Sequence, residues 1–219
     1  YGSDLPGNLI IGDEAIQRFE EQLRHPVSPL LDNEQLPAAY EQLAINAGRS
    51  GNAGSSAAGE FPKFTAVRES HQPDGTPHVI VKFSGNDVSP PVTRWADLLM
   101  CEHIALEVIA KELQLSSARS RVLHYQGRTF LEVERFDRVG MFGRRGVASL
   151  GAMNNALLRT SLRRWDALVP KLAPVIRLSA EDVRAAQLLY WFGAMIANTD
   201  MHFGNLSFMM GDRIFLAPA

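Results

Sequence analysis

The stretch Asn198-Thr-Asp-Met-His-Phe-Gly-Asn205 gathers side chains that could do chemistry, between a helix-like apolar run and the strand-like Leu206-Ser-Phe-Met-Met210. Short polar inserts between buried elements are where a scaffold presents reactive groups. Asp200 stands five residues before Asn205. In phosphoryl transfer that interval lets the Asp accept a hydroxyl proton while the Asn holds a metal ion. Ordinary protein-kinase loops carry His-Arg before the Asp, and here Asn198-Thr199 takes that place. The same residues would also suit a turn in which Asp and Asn satisfy local backbone groups.

Further polar residues sit where apolar ones are expected. Lys82 interrupts the strand-like Val79-Ile-Val-Lys-Phe83, and a buried lysine needs a partner. A helical pattern from Trp95 to Leu113 puts Glu102 on the stripe of Leu98, Ala105, Ile109 and Leu113, by i+3 and i+4 spacing. A Lys82–Glu102 ion pair would satisfy both, and would reproduce the strand-lysine to helix-glutamate arrangement of kinases. Alternatively, Lys82 faces outward and Glu102 rotates to the helix edge.

The run Gly48 to Gly59, including Ser55, Ser56, Ala57, Ala58 and Gly59, is almost all small residues. Such a loop lets backbone N–H groups approach a phosphate closely, or serves as a flexible linker. It lacks the Gly-Lys-Ser/Thr of a Walker loop, which excludes a P-loop NTPase. Glu134-Arg-Phe-Asp-Arg138 leaves an apolar strand. Its main chain from Val133 to Phe136 is placed to pass an adenine edge in a two-lobed kinase, or its charges end in solvent.

The positioning elements follow from periodicity and turn residues. Helices are expected over 13–23, 38–46 and 95–113, with strands over 64–68 and 79–83. A hairpin joins 121–125 to 128–134 across Gln126-Gly127. Residues 139–152 read as a mobile, Gly- and Arg-rich surface excursion. Residues 155–197 read as helical, the clearest helix starting at Ser179 with a capping box to Asp182, and its apolar second half implies burial on most sides. Gly211-Asp-Arg then turns 206–210 into 214–216. The expected divisions are 1–47, 48–136 and 137–219.

A hydrophobic content of 46% with 21% charged residues fits a globular protein. The net charge of -2 gives no electrostatic case for nucleic-acid binding. One cysteine, Cys101, excludes an internal disulfide framework and suits the reducing cytoplasm. No run reaches membrane-spanning length, so no membrane association is expected. The chain starts at Tyr1 without methionine and stops at Ala219 after a strand-like run, so both ends look cut.

In this order and spacing, the small-residue loop, Lys82, Glu102, Glu134 to Arg138 and Asn198 to Asn205 resemble the HipA family of bacterial serine/threonine kinase toxins. Asp4-Leu-Pro-Gly7 looks like the family's own Asp-Leu-Pro-Gly element. The resemblance implies an α+β, two-lobed protein-kinase-like fold, with an antiparallel-sheet N-lobe and a mostly helical C-lobe that is incomplete here. It implies ATP and Mg2+ as cofactors, Asp200 as catalytic base and Asn205 as metal ligand. His202 would lie near the phosphates and Lys82 would contact them, while Glu134 and Phe136 would offer backbone groups to adenine. Ser55 and Ser56 would be autophosphorylation sites. The implied substrate is a protein, such as an aminoacyl-tRNA synthetase, and the implied partner a helix-turn-helix antitoxin whose DNA-binding segment is not visible in residues 1–219. The family's second metal-binding Asp would fall after Ala219, and Asp212 in the turn is a poor substitute. A non-catalytic binding module and a small-molecule phosphotransferase are the competing functions.

Overall fold

A computed structural model describes residues 2, 4–25, 31–49, 62–70 and 75–219. The loop residues Ser55, Ser56, Ala57, Ala58 and Gly59 lie outside these. The chain divides into two compact units, Tyr1–Val108 with Ala118–Arg144, and Ile109–Ser117 with Arg145–Ala219.

The first unit is built on a four-stranded antiparallel sheet in the order β1-β2-β4-β3, from β1 (Lys63–Val67), β2 (His78–Phe83), β3 (Ser120–Tyr125) and β4 (Arg128–Glu134). Strand alternation explains its faces. In β2 every second residue, Val79, Val81 and Phe83, is buried, leaving Lys82 on the opposite, half-covered face. The buried face packs on α2 (Leu36–Arg49) through Leu36, Tyr40 and Ala44, which recur every four residues. This helix begins before the expected 38, because Pro37 occupies the first turn, where a missing N–H costs nothing. The hairpin between β3 and β4 turns at Gln126 and Gly127, both at positive φ, as a two-residue turn matching strand twist requires. The other helices of the unit are α1 (Asp13–Arg24) and α3 (Pro90–Lys111). Two prolines open α3 five residues before the expected start at Trp95. The Trp95 indole N–H donates to the Phe83 carbonyl at 2.8 Å and ties the helix to the end of β2. Within α3, Leu99 is fully buried while Leu98 is 48% exposed. The apolar stripe is therefore rotated from the expected one.

Residues 139–152 are not the expected excursion. They form β5 (Arg138–Val139) and β6 (Gly143–Arg144), a small antiparallel pair, then β7 (Gly146–Ser149) and the start of α4 (Leu150–Met153). Gly143 is needed because a Cβ there would meet the Val139 carbonyl oxygen at 2.5 Å.

In the second unit, β7 pairs with β8 (Ser207–Met210), which pairs with β9 (Phe215–Leu216), all antiparallel. The region read as helical from 155 to 197 is divided into several pieces. A π-helical stretch, Asn154–Leu158, follows α4 and ends at Arg159 in the left-handed conformation. Next come α5 (Trp165–Ile176) and α6 (Ala180–Met195). Pro170 removes the N–H that would reach the Asp166 carbonyl, and Gln187 of α6 donates to that oxygen at 3.5 Å. At Ser179 the expected cap forms, its Oγ accepting the Asp182 N–H at 3.0 Å. The core holds Leu150, Trp165, Leu168, Leu172, Leu189 and Phe208. Burial of α6 is one-sided, which corrects the expectation: Ala186, Leu189 and Gly193 are buried, whereas Trp191 is 53% and Met195 83% exposed. The Arg164 guanidinium lies over the Tyr190 and Trp191 rings at 5.0 and 5.2 Å, sharing part of that face.

Candidate active site

The second unit delivers Asp200 on a backbone with few degrees of freedom. Helix α6 ends in a Schellman motif, with the Asn198 N–H on the Gly193 carbonyl at 2.9 Å and the Ala197 N–H on Ala194 at 3.2 Å. Ala197 takes the left-handed position at φ 54°. The Asn198 Oδ1 accepts the Asp200 N–H at 2.9 Å, and the Asn205 Nδ2 donates to the Asp200 carbonyl at 2.8 Å. Across the loop the first N–H groups of α4 complete the clamp: Leu150 donates to Leu206 at 2.7 Å and Gly151 to Phe203 at 3.0 Å.

The turn reading of the loop is realised in part. Asn198 and Asn205 satisfy local backbone, as a plain turn would have them do. The Asp200 carboxylate does not: its side chain is 70% exposed, and its partner among the described residues is the His202 Nε2 at 3.4 Å from Oδ1. Since Asn205 spends its Nδ2 on the backbone, the Oδ1 remains, and a hard oxygen of this kind suits magnesium. No cluster of three or more His, Cys, Asp or Glu residues able to hold a metal occurs among the described residues. A magnesium ion at Asn205 would then take most of its ligands from phosphates and water, its usual habit.

In the first unit, the Lys82 Nζ lies 2.7 and 2.8 Å from the two Glu102 carboxylate oxygens. Of the two arrangements open from sequence, the chain adopts the ion pair. It is partly wet, with the lysine side chain 29% and the glutamate 37% exposed.

Glu134 ends β4, with Phe136 two residues beyond it. The Glu134 N–H is already bonded to the Arg119 carbonyl at 2.8 Å and its carboxylate to Arg68 Nη2 at 2.8 Å. The charges that follow do not end in solvent. Arg135, Asp137 and Arg138 are all at least 93% buried, and they clasp Asp4-Leu-Pro-Gly7. Asp4 Oδ1 accepts from Arg135 and from Arg138 Nη2 at 3.0 Å, and the Gly7 carbonyl accepts from Arg138 Nη1 at 2.7 Å. Burial alone would raise the carboxyls of Asp4 and Asp137, but Arg135 and Arg138 hold both below their ordinary values. This lock was missed from sequence, although the alternating Arg-x-Asp-Arg signs carried the signal. A second buried network was missed too. Glu132, 1% exposed, accepts from Tyr40 Oη at 2.7 Å, Arg68 Nε at 3.0 Å and Arg121 Nη2 at 2.8 Å.

The fold and site therefore define an α+β protein with an Asp-x4-Asn loop in one unit and a strand-lysine to helix-glutamate pair in the other. Compared with known proteins, residues 55–219 match the HipA-like C-terminal domain model. The chain belongs to that family, as the sequence resemblance anticipated. It is similar to Toxin YjjJ of Escherichia coli (strain K12), 35% identical over 216 residues, covering 98% of this chain and 47% of that protein. The chain thus spans about half the length of this curated relative. Its fold is similar to a chain in the complex of Shewanella oneidensis MR-1 HipA, HipB and operator DNA, with a TM-score of 0.50 and 22% identity, covering 75% of this chain and 42% of that one. No helix among the described residues is long and apolar enough to cross a membrane.

Proposed function

We propose that this chain is part of an ATP-dependent serine/threonine protein kinase of the HipA toxin type, with a kinase-like two-lobed fold. The observation that carries this reading is the Asp200 carboxylate, exposed on a backbone pinned from both sides by Asn198 and Asn205. Asp200 accepts the proton of a serine hydroxyl as its oxygen bonds to the γ-phosphorus and the bond to the ADP oxygen breaks. Lys82, oriented by Glu102, contacts the phosphates. Asn205 Oδ1 would hold magnesium, which would supply neutralisation of charge on the phosphate oxygens. The adenine edge meets main-chain groups around Phe136.

Growth inhibition through a phosphorylated protein target, an aminoacyl-tRNA synthetase for example, extends this reading to the whole protein. So does an antitoxin partner, by likeness to the Shewanella assembly of HipA with HipB. Phosphorylation at Ser55 or Ser56 would add about two negative charges beside the phosphates and switch ATP binding off.

The test is phosphate transfer from labelled ATP to protein by the full-length parent, alongside Asp200→Asn. Transfer by the parent and its loss in the variant are expected; equal transfer by both removes Asp200 from its role. Labelling of a sugar or aminoglycoside with no protein labelled would indicate a small-molecule phosphotransferase instead. Mass spectrometry should find phosphate on Ser55 or Ser56 in protein from growing cells. Unmodified serines in active kinase would remove the switch.

A further inference from the structure

We infer that His202 is a positioning residue for Asp200, with its ring seated by Gly204. The catalytic consequence rests on the kinase reading above; the geometry does not. The Gly204 N–H donates to the His202 Nδ1 at 2.9 Å. A ring nitrogen that accepts carries no proton, so the neutral imidazole bears its hydrogen on Nε2. That nitrogen stands 3.4 Å from the Asp200 Oδ1. The separation is longer than a formed hydrogen bond, and contacts of this kind tighten when a substrate binds.

Gly204 is required for this seat. A Cβ there would come within 2.7 Å of the His202 Cε1 and 2.8 Å of Nδ1, so any other residue displaces the ring. The backbone beneath the ring is fixed as well. Its carbonyl accepts the Asn205 N–H at 3.1 Å and the Trp165 indole N–H at 3.3 Å. Both side chains are mostly exposed, 64% for His202 and 70% for Asp200. Their approach is set by the loop rather than forced by crowding. An Nε2–H directed at Oδ1 fixes the carboxylate plane and leaves Oδ2 to receive the substrate's hydroxyl proton. This role differs from the place near the phosphates that the family resemblance implied for His202.

The test uses the full-length parent with labelled ATP. His202→Ala and Gly204→Ala should each lower kcat by about 10²-fold, the scale of a misplaced reacting group, with KM for ATP unchanged. The double variant should fall no further than the singles, and His202→Gln, which keeps an N–H near the Nε2 position, should recover most of the loss. A raised KM at unchanged kcat would assign His202 to the phosphates, and unchanged kinetics would leave it without a role; either overturns the inference. A second readout needs no activity. Ring ¹⁵N shifts at neutral pH should show the Nε2-protonated tautomer in the parent, with that bias lost in Gly204→Ala. An Nδ1-protonated ring overturns the inference whether or not the parent is a kinase. The expected tautomer in a parent that transfers no phosphate would sink the kinase reading alone.

Discussion

The Gly7 N–H donates to Asp137 Oδ2 at 2.8 Å, joining residues 130 positions apart in the chain. The same oxygen receives Arg135 Nη2 at 2.8 Å and Arg138 Nη1 at 2.7 Å. One carboxylate thus anchors the N-terminal turn and neutralises two buried guanidinium groups. Removing one member of such a cluster strands the others away from water. Asp137→Ala should therefore cost about 3–5 kcal/mol of unfolding free energy, read as a lower urea midpoint. An effect below about 1 kcal/mol would mean that the cluster is solvated in solution.

Acid should destabilise the first unit in two stages. Burial favours neutral His78, and Arg138 and Arg135 reinforce this against the Met141 carbonyl, so its folded pKa is lowered. The unfolded state then binds more protons, and stability is lost as pH falls below the unfolded value of about 6.5. The carboxyls of Asp4, Asp137 and Glu132 are also lowered, their guanidinium partners outweighing burial. Their stabilisation is complete above the unfolded values of about 4 and is lost as pH falls through the lower folded ones. Urea midpoints measured from about pH 7.5 down to 3 should show both stages. His78→Gln, which keeps a donor for the Met141 carbonyl, should abolish the upper one.

Lys82 and Glu102 should matter more to nucleotide than to fold. Their pair is partly exposed, so Lys82→Met should change stability by no more than about 1 kcal/mol. If Lys82 contacts phosphates, the same variant raises KM for ATP in the full-length parent. Glu102→Gln should raise it too, and the double variant should fall short of the product of the singles, because both act through one contact. A large stability loss with unchanged KM would make the pair structural.

Ala197 occupies a left-handed position that glycine adopts without penalty. Ala197→Gly should stabilise the second unit by about 1 kcal/mol, seen as a raised Tm. A fall in Tm would mean that the Schellman turn before the loop does not hold in solution.

Much of the local architecture was legible because its signals are local. The short apolar run over 79–83 marked β2, Gln126-Gly127 marked a hairpin, and Ser179 with Asp182 marked the start of α6. Where the reading failed, a distant partner decided. Residues 146–149 carry little strand signal of their own and become β7 by pairing with β8 some sixty positions later. The run from 155 to 197 reads as helical, with a marked start only at Ser179. It breaks because the ends at Arg159 and Arg177 turn through left-handed residues that composition does not announce.

The sequence by itself determined which residues could do chemistry and in what order: Lys82, Glu102, Asp200, His202 and Asn205. Residue type and spacing are local properties, and so is the resemblance to a family. Only tertiary structure decided which charges are buried and with whom. Arg135, Asp137 and Arg138 read as a solvated strand end until Asp4 and Gly7 close on them. Burial of a charge depends on groups brought together from far along the chain, and the cost of desolvation makes their pairing obligatory.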